Sequence, residues 1–495
     1  MKKLGLGTKM SYGFGNLGYG TVSQCLNSFI MFFGTTVLGI SGTLVGLAVS
    51  IATFWDGISD PIIGFISDRS KDRFLGKRIN YMFLSSFAIP ISNIFLWIIP
   101  NTLPIWLKFV WFLVALLGIE SACTLFATPY FALGVDIAPD YSEQSVLQGF
   151  KTVFFIIGMI LPSLLMMIFM PSSSGSQAQF QQGGYISIAL STSILCLISG
   201  LISSFGTAKA YKNSPIREKI ISTDKLSKKE TIKKILKVMK TRNFSSIVIG
   251  YSIALLASAF LISVGMHLFT YAYHFSSSQI PILMAVLFTS AILSQPFWVF
   301  LANRMDKKYA LSISLIVLLF GIGFTAITFI FREFIQNNTL FLTIIPCIFI
   351  CGFGTGSLYS LPISMFADVL TMDKIKTGKN NSATYSGFMT VAYNIANSLA
   401  LLFIGLLLDI IKFNPEEPVQ PLSVQNGLGM IIFVGCSLSI AISILFFSRY
   451  NLKRTDILKA QMNYDFNNNI RRQKKTKVLK EKEIANLTET ILYRN

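Results

Sequence analysis

Long apolar runs separated by short polar bursts dominate this chain. They lie near 12–36, 42–67, 81–100, 105–134, 150–170 and 185–208, and again near 245–274, 279–303, 309–331, 339–370, 384–412 and 428–450. As a helix rising about 1.5 Å per residue, each run is long enough to cross a hydrocarbon core of about 30 Å. The alternating ten-residue segments of a membrane β-barrel are absent. The pattern predicts an all-α polytopic membrane protein with twelve transmembrane helices. The longest internal polar interval follows the sixth run and divides the chain into two six-helix halves, 1–208 and 245–450. Between them lies a basic linker, 209–244, and after them a tail, 451–495.

Composition agrees: 52% of residues are hydrophobic and 13% charged, against about 25% charged in soluble domains. The formal charge of +19 would suggest a polyanionic partner on a soluble protein. Here the basic residues occupy alternate loops, so topology explains them and no nucleic acid is expected. Lys2, Lys3 and Lys9 precede the first run, and Arg69–Arg78 follow the second. Twelve lysines and arginines fall in 209–244, and Lys374, Lys376 and Lys379 follow the tenth run. The opposite loops hold chiefly Arg332 and Lys412. The positive-inside rule therefore places both termini in the cytoplasm, in an integral plasma-membrane protein. The first run is too long for a signal-peptide core and lacks a cleavage site, so it is read as the first span. All six cysteines fall in apolar runs and read as buried structural thiols. TIKKILKVMK (231–240) has the pattern of an amphipathic helix on an anionic leaflet.

The chemistry concentrates in TFWDGISDPIIGFISDRSKDRFLGKR, residues 53–78. Asp56 and Asp60, four residues apart, emerge from one face of the second helix. Each ionisable group near mid-membrane costs about 2.5–3.5 kcal/mol on insertion scales, so two on one face require a partner. The run itself offers no Lys, Arg or His. A bound monovalent cation or a proton would satisfy the pair; the competing reading is a structural pair satisfied by water, by hydroxyls such as Thr53 and Ser59, or by a basic side chain from another helix. Two close carboxylates titrate as a unit, so such a site is neutral only when loaded, which is the energetic basis of symport.

Downstream, Asp68, Arg69 and Arg73 form a turn of alternating charge at the helix end. It reads as a cytoplasmic gate latch rather than topology alone, with Asp136 and Asp368 as counter-charges. Glu120 lies near the middle of the fourth span, with Thr124 one turn further on. Lys151 opens the fifth span, either snorkelling to the interface or reaching the cavity. His267 reads as a packing histidine. Gly13-x-Gly15-x-x-Gly18 matches a dinucleotide fingerprint, but no strand precedes it, so it reads as close helix packing. Gly352, Gly354 and Gly356 are read as packing or hinge glycines. No P-loop, HExxH or nucleophile set is present, so the chain is expected not to be an enzyme. A faint repeat links the halves: Asp60-Pro61 precedes Asp68-Arg69 by the interval that separates Gln295-Pro296 from Asn303-Arg304.

SYGFGNLGYG (11–20) together with FWDGISDPIIGFISDRSKDRFLGKR (54–78) resembles the glycoside–pentoside–hexuronide:cation symporters, the melibiose permease-like branch of the major facilitator superfamily. The similarity spans roughly residues 9–450, and its specific part is the WDxxxDPxxGxxSDR segment. It implies the major facilitator fold, alternating access about a central cavity, and coupling to Na⁺, Li⁺ or H⁺. By this resemblance Asp56 and Asp60 take the cation carboxylate positions, Thr124 a hydroxyl position at that site and Tyr359 an aromatic sugar-facing position. Lys151 stands where an arginine is common. Three polar groups of the family's sugar site are replaced, by Gly20, Ala127 and Tyr393, and Glu120 is a candidate substitute for the missing acid.

The resulting expectation is a secondary transporter that symports a cation with a sugar, glycoside or related small polar solute. Asp56, Asp60, Thr124 and Ser59 would hold the cation, Na⁺ or H⁺, with no other cofactor. Tyr359, Lys151, Tyr393, Asn394 and Glu120 would meet the solute. Two alternatives stand beside it: a symporter of a lysolipid-like or amphipathic solute, marked by a lateral apolar opening, and a non-transporting solute sensor. The oligomeric state is not legible.

Overall fold

The computed structural model describes residues 4–70, 74–138, 141–171, 178–213, 241–377, 382–415, 417, 419–457, 459, 460 and 462. Most of the linker, the tail beyond 462 and Arg73 lie outside them. Among the described residues there are thirteen long helices and no strand: α1 (Leu6–Phe32), α2 (Gly42–Arg69), α3 (Ile79–Trp97), α4 (Ile105–Ile137), α5 (Tyr141–Phe169), α6 (Gln182–Lys212), α7 (Arg242–His267), α8 (Gln279–Met305), α9 (Lys307–Ile330), α10 (Asn337–Thr355), α11 (Leu361–Thr377), α12 (Ser382–Ile410) and α13 (Leu422–Ser448). α10 and α11 are one crossing, broken by a tight turn at Gly356–Tyr359. The run at 339–370, expected as one helix, is therefore two. The break falls where Gly352 and Gly356 pack on Leu287 and Ala291 of α8, so these glycines serve packing and bend together.

Eleven membrane-length segments are apolar enough to cross a bilayer by length and composition, and α1 is not among them. Its place explains why. α1 packs against α5 and α6 and also touches α7, so its polar residues meet protein instead of lipid. Asn16 Nδ2 donates to the Lys151 carbonyl at 3.2 Å, and Gln24 Nε2 to Ser28 Oγ at 2.7 Å. The Gly13, Gly15 and Gly18 stripe is a packing face, with Gly13 against Phe150 and Phe154, Gly15 against Ser203, and Gly18 against Cys196 and Ser199.

The repeat suspected from Pro61 and Pro296 is visible in the backbone. The first helix of each half ends in a wide π-helical turn, at Phe33–Val37 after α1 and at Leu268–Ala272 after α7. Contacts between the halves run through α2 with α12, α1 with α7 and α5 with α8. The hydrogen bonds that join them cluster toward the face opposite the termini. The Asp409 carboxylate accepts from the backbone N–H groups of Gly42 and Thr43 at 2.7 and 2.8 Å, capping α2 from the other half. Thr35 Oγ1 meets His267 Nε2 at 2.8 Å, Gln179 Nε2 donates to Thr270, and the Ser50 and Ser398 hydroxyls meet at 2.7 Å. His267 is fully buried among Phe32 and Phe413, a packing histidine that also ties the halves. Closer to the terminal face, the pairs Lys9–Glu143 and Lys307–Asp368 each stay inside one half.

Candidate functional site

α2 carries Asp56 and Asp60 to the place where the two halves meet. α4 lies alongside with Glu120, Thr124 and Thr128 at four-residue spacing, so the two helices present matched stripes. Thr124 Oγ1 donates to Asp56 Oδ1 at 2.8 Å, and Thr128 Oγ1 donates to Asp60 Oδ1 at 2.8 Å. Ser59 Oγ lies 3.0 Å from Thr124 Oγ1 and 3.2 Å from the Asp56 carbonyl. The Thr124 hydroxyl donates to Asp56, and the single Ser59 proton is shared between the Asp56 carbonyl and Thr124 Oγ1. From the second half, Asn394 Nδ2 reaches Asp56 Oδ2 at 3.4 Å. Both carboxylates are half-buried, and among the described residues neither forms an ion pair with Lys, Arg or His. The hydroxyls leave their oxygen lone pairs beside two acids, a donor set suited to a hard monovalent cation.

Glu120 stands one turn before Thr124 on α4, within electrostatic range of both aspartates, and Tyr19 of α1 lies within range of Asp56 and Glu120. Asn394 and Tyr393 are neighbours on α12. The Tyr393 ring packs edge-on to Tyr251 of α7 at 6.4 Å between centroids. Tyr251 in turn lies within electrostatic range of Tyr359, which is 39% exposed at the α10–α11 break. Beyond Tyr359 a narrow cleft with about 20 Å³ of free space enters the second half between Leu261, Phe288, Leu318 and Ile322, and its walls are apolar. The structure thus joins Asp56, Asn394, Tyr393 and Tyr359 in one path. Lys151 stands apart from it: its ammonium lies 4.0 Å from the centroid of the Phe131 ring, a cation–π contact within the first half.

At the terminal face the structure redraws the expected latch. Arg69 lies over the Phe65 ring at 3.8 Å. Arg78 is the basic centre instead, bridging Asp68 and Asp136 at 2.9 Å each, with the guanidinium and Asp136 buried. Asp368 does not face this turn; it pairs with Lys307 inside the second half at 2.6 Å. The physical reason is reach. Arg78 begins α3 beside the ends of α2 and α4, whereas Lys307 begins α9 beside the end of α11. The two halves repeat one device, a base at the start of the third crossing held by an acid at the end of the fourth.

Residues 11–454 match the model of the MFS/sugar transport protein family. The chain belongs to that family. An uncharacterized symporter of Synechocystis sp. is 23% identical over 86% of this chain and 89% of its own. The sodium-dependent lysophosphatidylcholine symporter 1 of Xenopus tropicalis is 22% identical over 90% of this chain and 87% of its own. Among solved structures, a D-xylose-proton symporter superposes with a TM-score of 0.64 at 13% identity, covering 90% of this chain and 98% of the other; this establishes the major facilitator fold.

Within this family member, sequence reasoning missed Thr128 and Tyr251 as structural partners, and it had Arg78 only within Gly76-Lys77-Arg78, the basic stretch that follows the latch turn. Thr128 had a signal, since Thr124 and Thr128 repeat the spacing of Asp56 and Asp60. Tyr251 had none, because its position depends on how α7 and α12 cross.

Proposed function

We propose that the protein is a Na⁺-coupled symporter of an amphipathic small solute, working by alternating access with both termini cytoplasmic and without chemistry on the solute. The observation that carries the coupling is the Asp56–Asp60 pair, which sits at the junction of the halves with hydroxyl and carboxamide partners and no basic one among the described residues. Na⁺ is favoured over H⁺ because Ser59, Thr124 and Thr128 add neutral oxygens that a proton would not need. Loading neutralises the pair and lets the halves close around it, so an unloaded carrier reorients slowly.

The solute reading rests on the apolar pocket behind Tyr359. Tyr393, Asn394 and Glu120 would meet a polar head beside the cation, and the apolar cleft, which has about 20 Å³ of free space here, would widen to take an apolar portion. An apolar groove of about 290 Å³ between α5 and α8, on the seam of the halves, supports entry from the lipid side. The similarity to lysophosphatidylcholine symporters points the same way. A free sugar or simple glycoside is the second reading, favoured by the polar tyrosine rim and by the family description. Lys151 would serve either solute only by leaving Phe131. In both readings Arg78, with Asp68 and Asp136, and Lys307 with Asp368, steady the helix ends at the cytoplasmic gate.

The test is uptake into proteoliposomes under an imposed Na⁺ or H⁺ gradient, with an alkyl glycoside series from methyl to dodecyl and a lysophospholipid. Accumulation that rises with chain length and follows Na⁺ supports the proposal. Uptake of free sugar alone selects the second reading, and binding without flux would make the protein a sensor.

A further inference from the structure

Arg332 breaks the charge pattern of the chain. It lies on the side where basic residues are nearly absent, in a single 3₁₀ turn, Arg332–Phe334, between α9 and α10. It is nevertheless 8% exposed. Its guanidinium donates to the Phe329 carbonyl at 2.9 Å and to the side-chain oxygens of Asn426 and Gln425 at 3.0 and 3.4 Å, and it stacks on the Phe329 ring at 4.1 Å. Its Nε–H is buried with no hydrogen-bond partner. Among the described residues the carboxylate paired with it, Glu333, stands 3.7 Å away and is more than half exposed. A buried cation with a solvated acid as its ion-pair partner is an expensive arrangement, and an anion on the remaining exposed edge of the guanidinium would offset the cost.

Arg332 also lines one end of a groove of about 480 Å³ between α9 and α13. Its walls are apolar, formed by Ala326, Phe329, Met430, Phe433 and Val434, and Met430 and Val434 are more than half exposed on the outer surface of the bundle. Gly429 gives the groove its shape, because a Cβ there would strike the Phe329 ring. An arginine at the end of a membrane-spanning helix lies at headgroup depth, and the groove runs from it along the hydrocarbon side.

We infer that this groove is a binding site for a zwitterionic glycerophospholipid. The phosphodiester lies against the edge of the Arg332 guanidinium that lines the groove, the ammonium faces Glu333 at the groove's lip, and one acyl chain lies between α9 and α13. A guanidinium suits a phosphate because its planar donors match the oxygen geometry. The site lies apart from the Asp56–Tyr359 path and is independent of the transported solute.

The test is native mass spectrometry of the full chain released from nanodiscs containing phosphatidylethanolamine, phosphatidylcholine and phosphatidylglycerol. The wild type should retain a zwitterionic phospholipid. Arg332→Gln should lower its occupancy by about tenfold, the worth of one charge-assisted bond, and Arg332→Lys should recover part of it. Met430→Trp fills the groove from an exposed position without touching the guanidinium, and should displace the same lipid. Equal lipid retention in all variants overturns the inference. So does loss in Arg332→Gln with full retention in Met430→Trp, which would mark Arg332 as an anchor for the start of α13 alone. Selective retention of phosphatidylglycerol would also overturn it, because Glu333 would then have no role.

Discussion

Gly405 of α12 sits where the two halves press hardest, and Gly405→Ala tests whether that contact governs the transport cycle. A Cβ at Gly405 would lie 2.9 Å from the Gly46 Cα and closer still to the Gly42 carbonyl, so the intruder meets backbone that cannot rotate away. Overpacking of this kind costs about 1–3 kcal/mol. The cost arises only while α2 and α12 touch, so it acts as a difference between conformers. It should shift the balance toward the conformer open on the face opposite the termini by about 5–150-fold. Opening also breaks the Asp409 cap on Gly42 and Thr43, a cost that wild type and variant share and that leaves the shift unchanged. Spin labels at Thr102→Cys and Val419→Cys, exposed positions on that face in opposite halves, report the separation by pulsed dipolar spectroscopy. The native cysteines are all buried, so background labelling is low. Gly387→Ala in the same helix, where an added Cβ meets nothing within 4 Å, is the matched control. An unchanged distance distribution in Gly405→Ala would refute the idea that this contact holds the face shut.

Three further perturbations address the site and the gate. Asp56→Asn and Asp60→Asn should each abolish Na⁺-driven accumulation in vesicles; undiminished concentrative uptake in either would contradict the coupling role. Thr124→Val and Thr128→Val each remove one hydroxyl bonded to a carboxylate, worth about 1.5–3 kcal/mol, so the Na⁺ concentration for half-maximal uptake should rise at least tenfold. Arg78→Ala strands the buried Asp136 carboxylate and should lower folding stability by about 3–5 kcal/mol, read as a fall in thermal unfolding temperature, with Asp136→Asn in the same chain restoring part of the loss.

The architecture was largely legible because bilayer thickness fixes the length of an apolar run, and lysines and arginines punctuate the loops. The acid pair was equally legible, since two carboxylates in such a run have few physical excuses. Spacing alone also offered Thr128, one turn beyond Thr124. The gate was less legible. Charges at helix ends are abundant, and only the lateral order of helices determines that Arg78, not Arg69, reaches both Asp68 and Asp136. The same ignorance of helix neighbours put Asp368 opposite the wrong base. The pocket behind Tyr359 could not be read at all, because its apolar walls come from α7, α8, α9, α10 and α13 and look like any other membrane-buried surface. Nor could the break in the tenth crossing, where glycine promised either packing or a bend and the fold uses both.

The modest hydropathy of α1 bears on how the molecule is made. The leading helix leaves the ribosome with Asn16 and Gln24 aboard, while the surfaces that will shelter them, on α5 and α6, follow more than a hundred residues later. At synthesis rates of about 5–20 residues per second, α1 waits on the order of ten seconds before its neighbours exist. During that interval it needs a sheltered seat beside the insertion machinery. Biogenesis of this chain is therefore a matter of completing the first half as a unit, not of threading one hydrophobic segment after another.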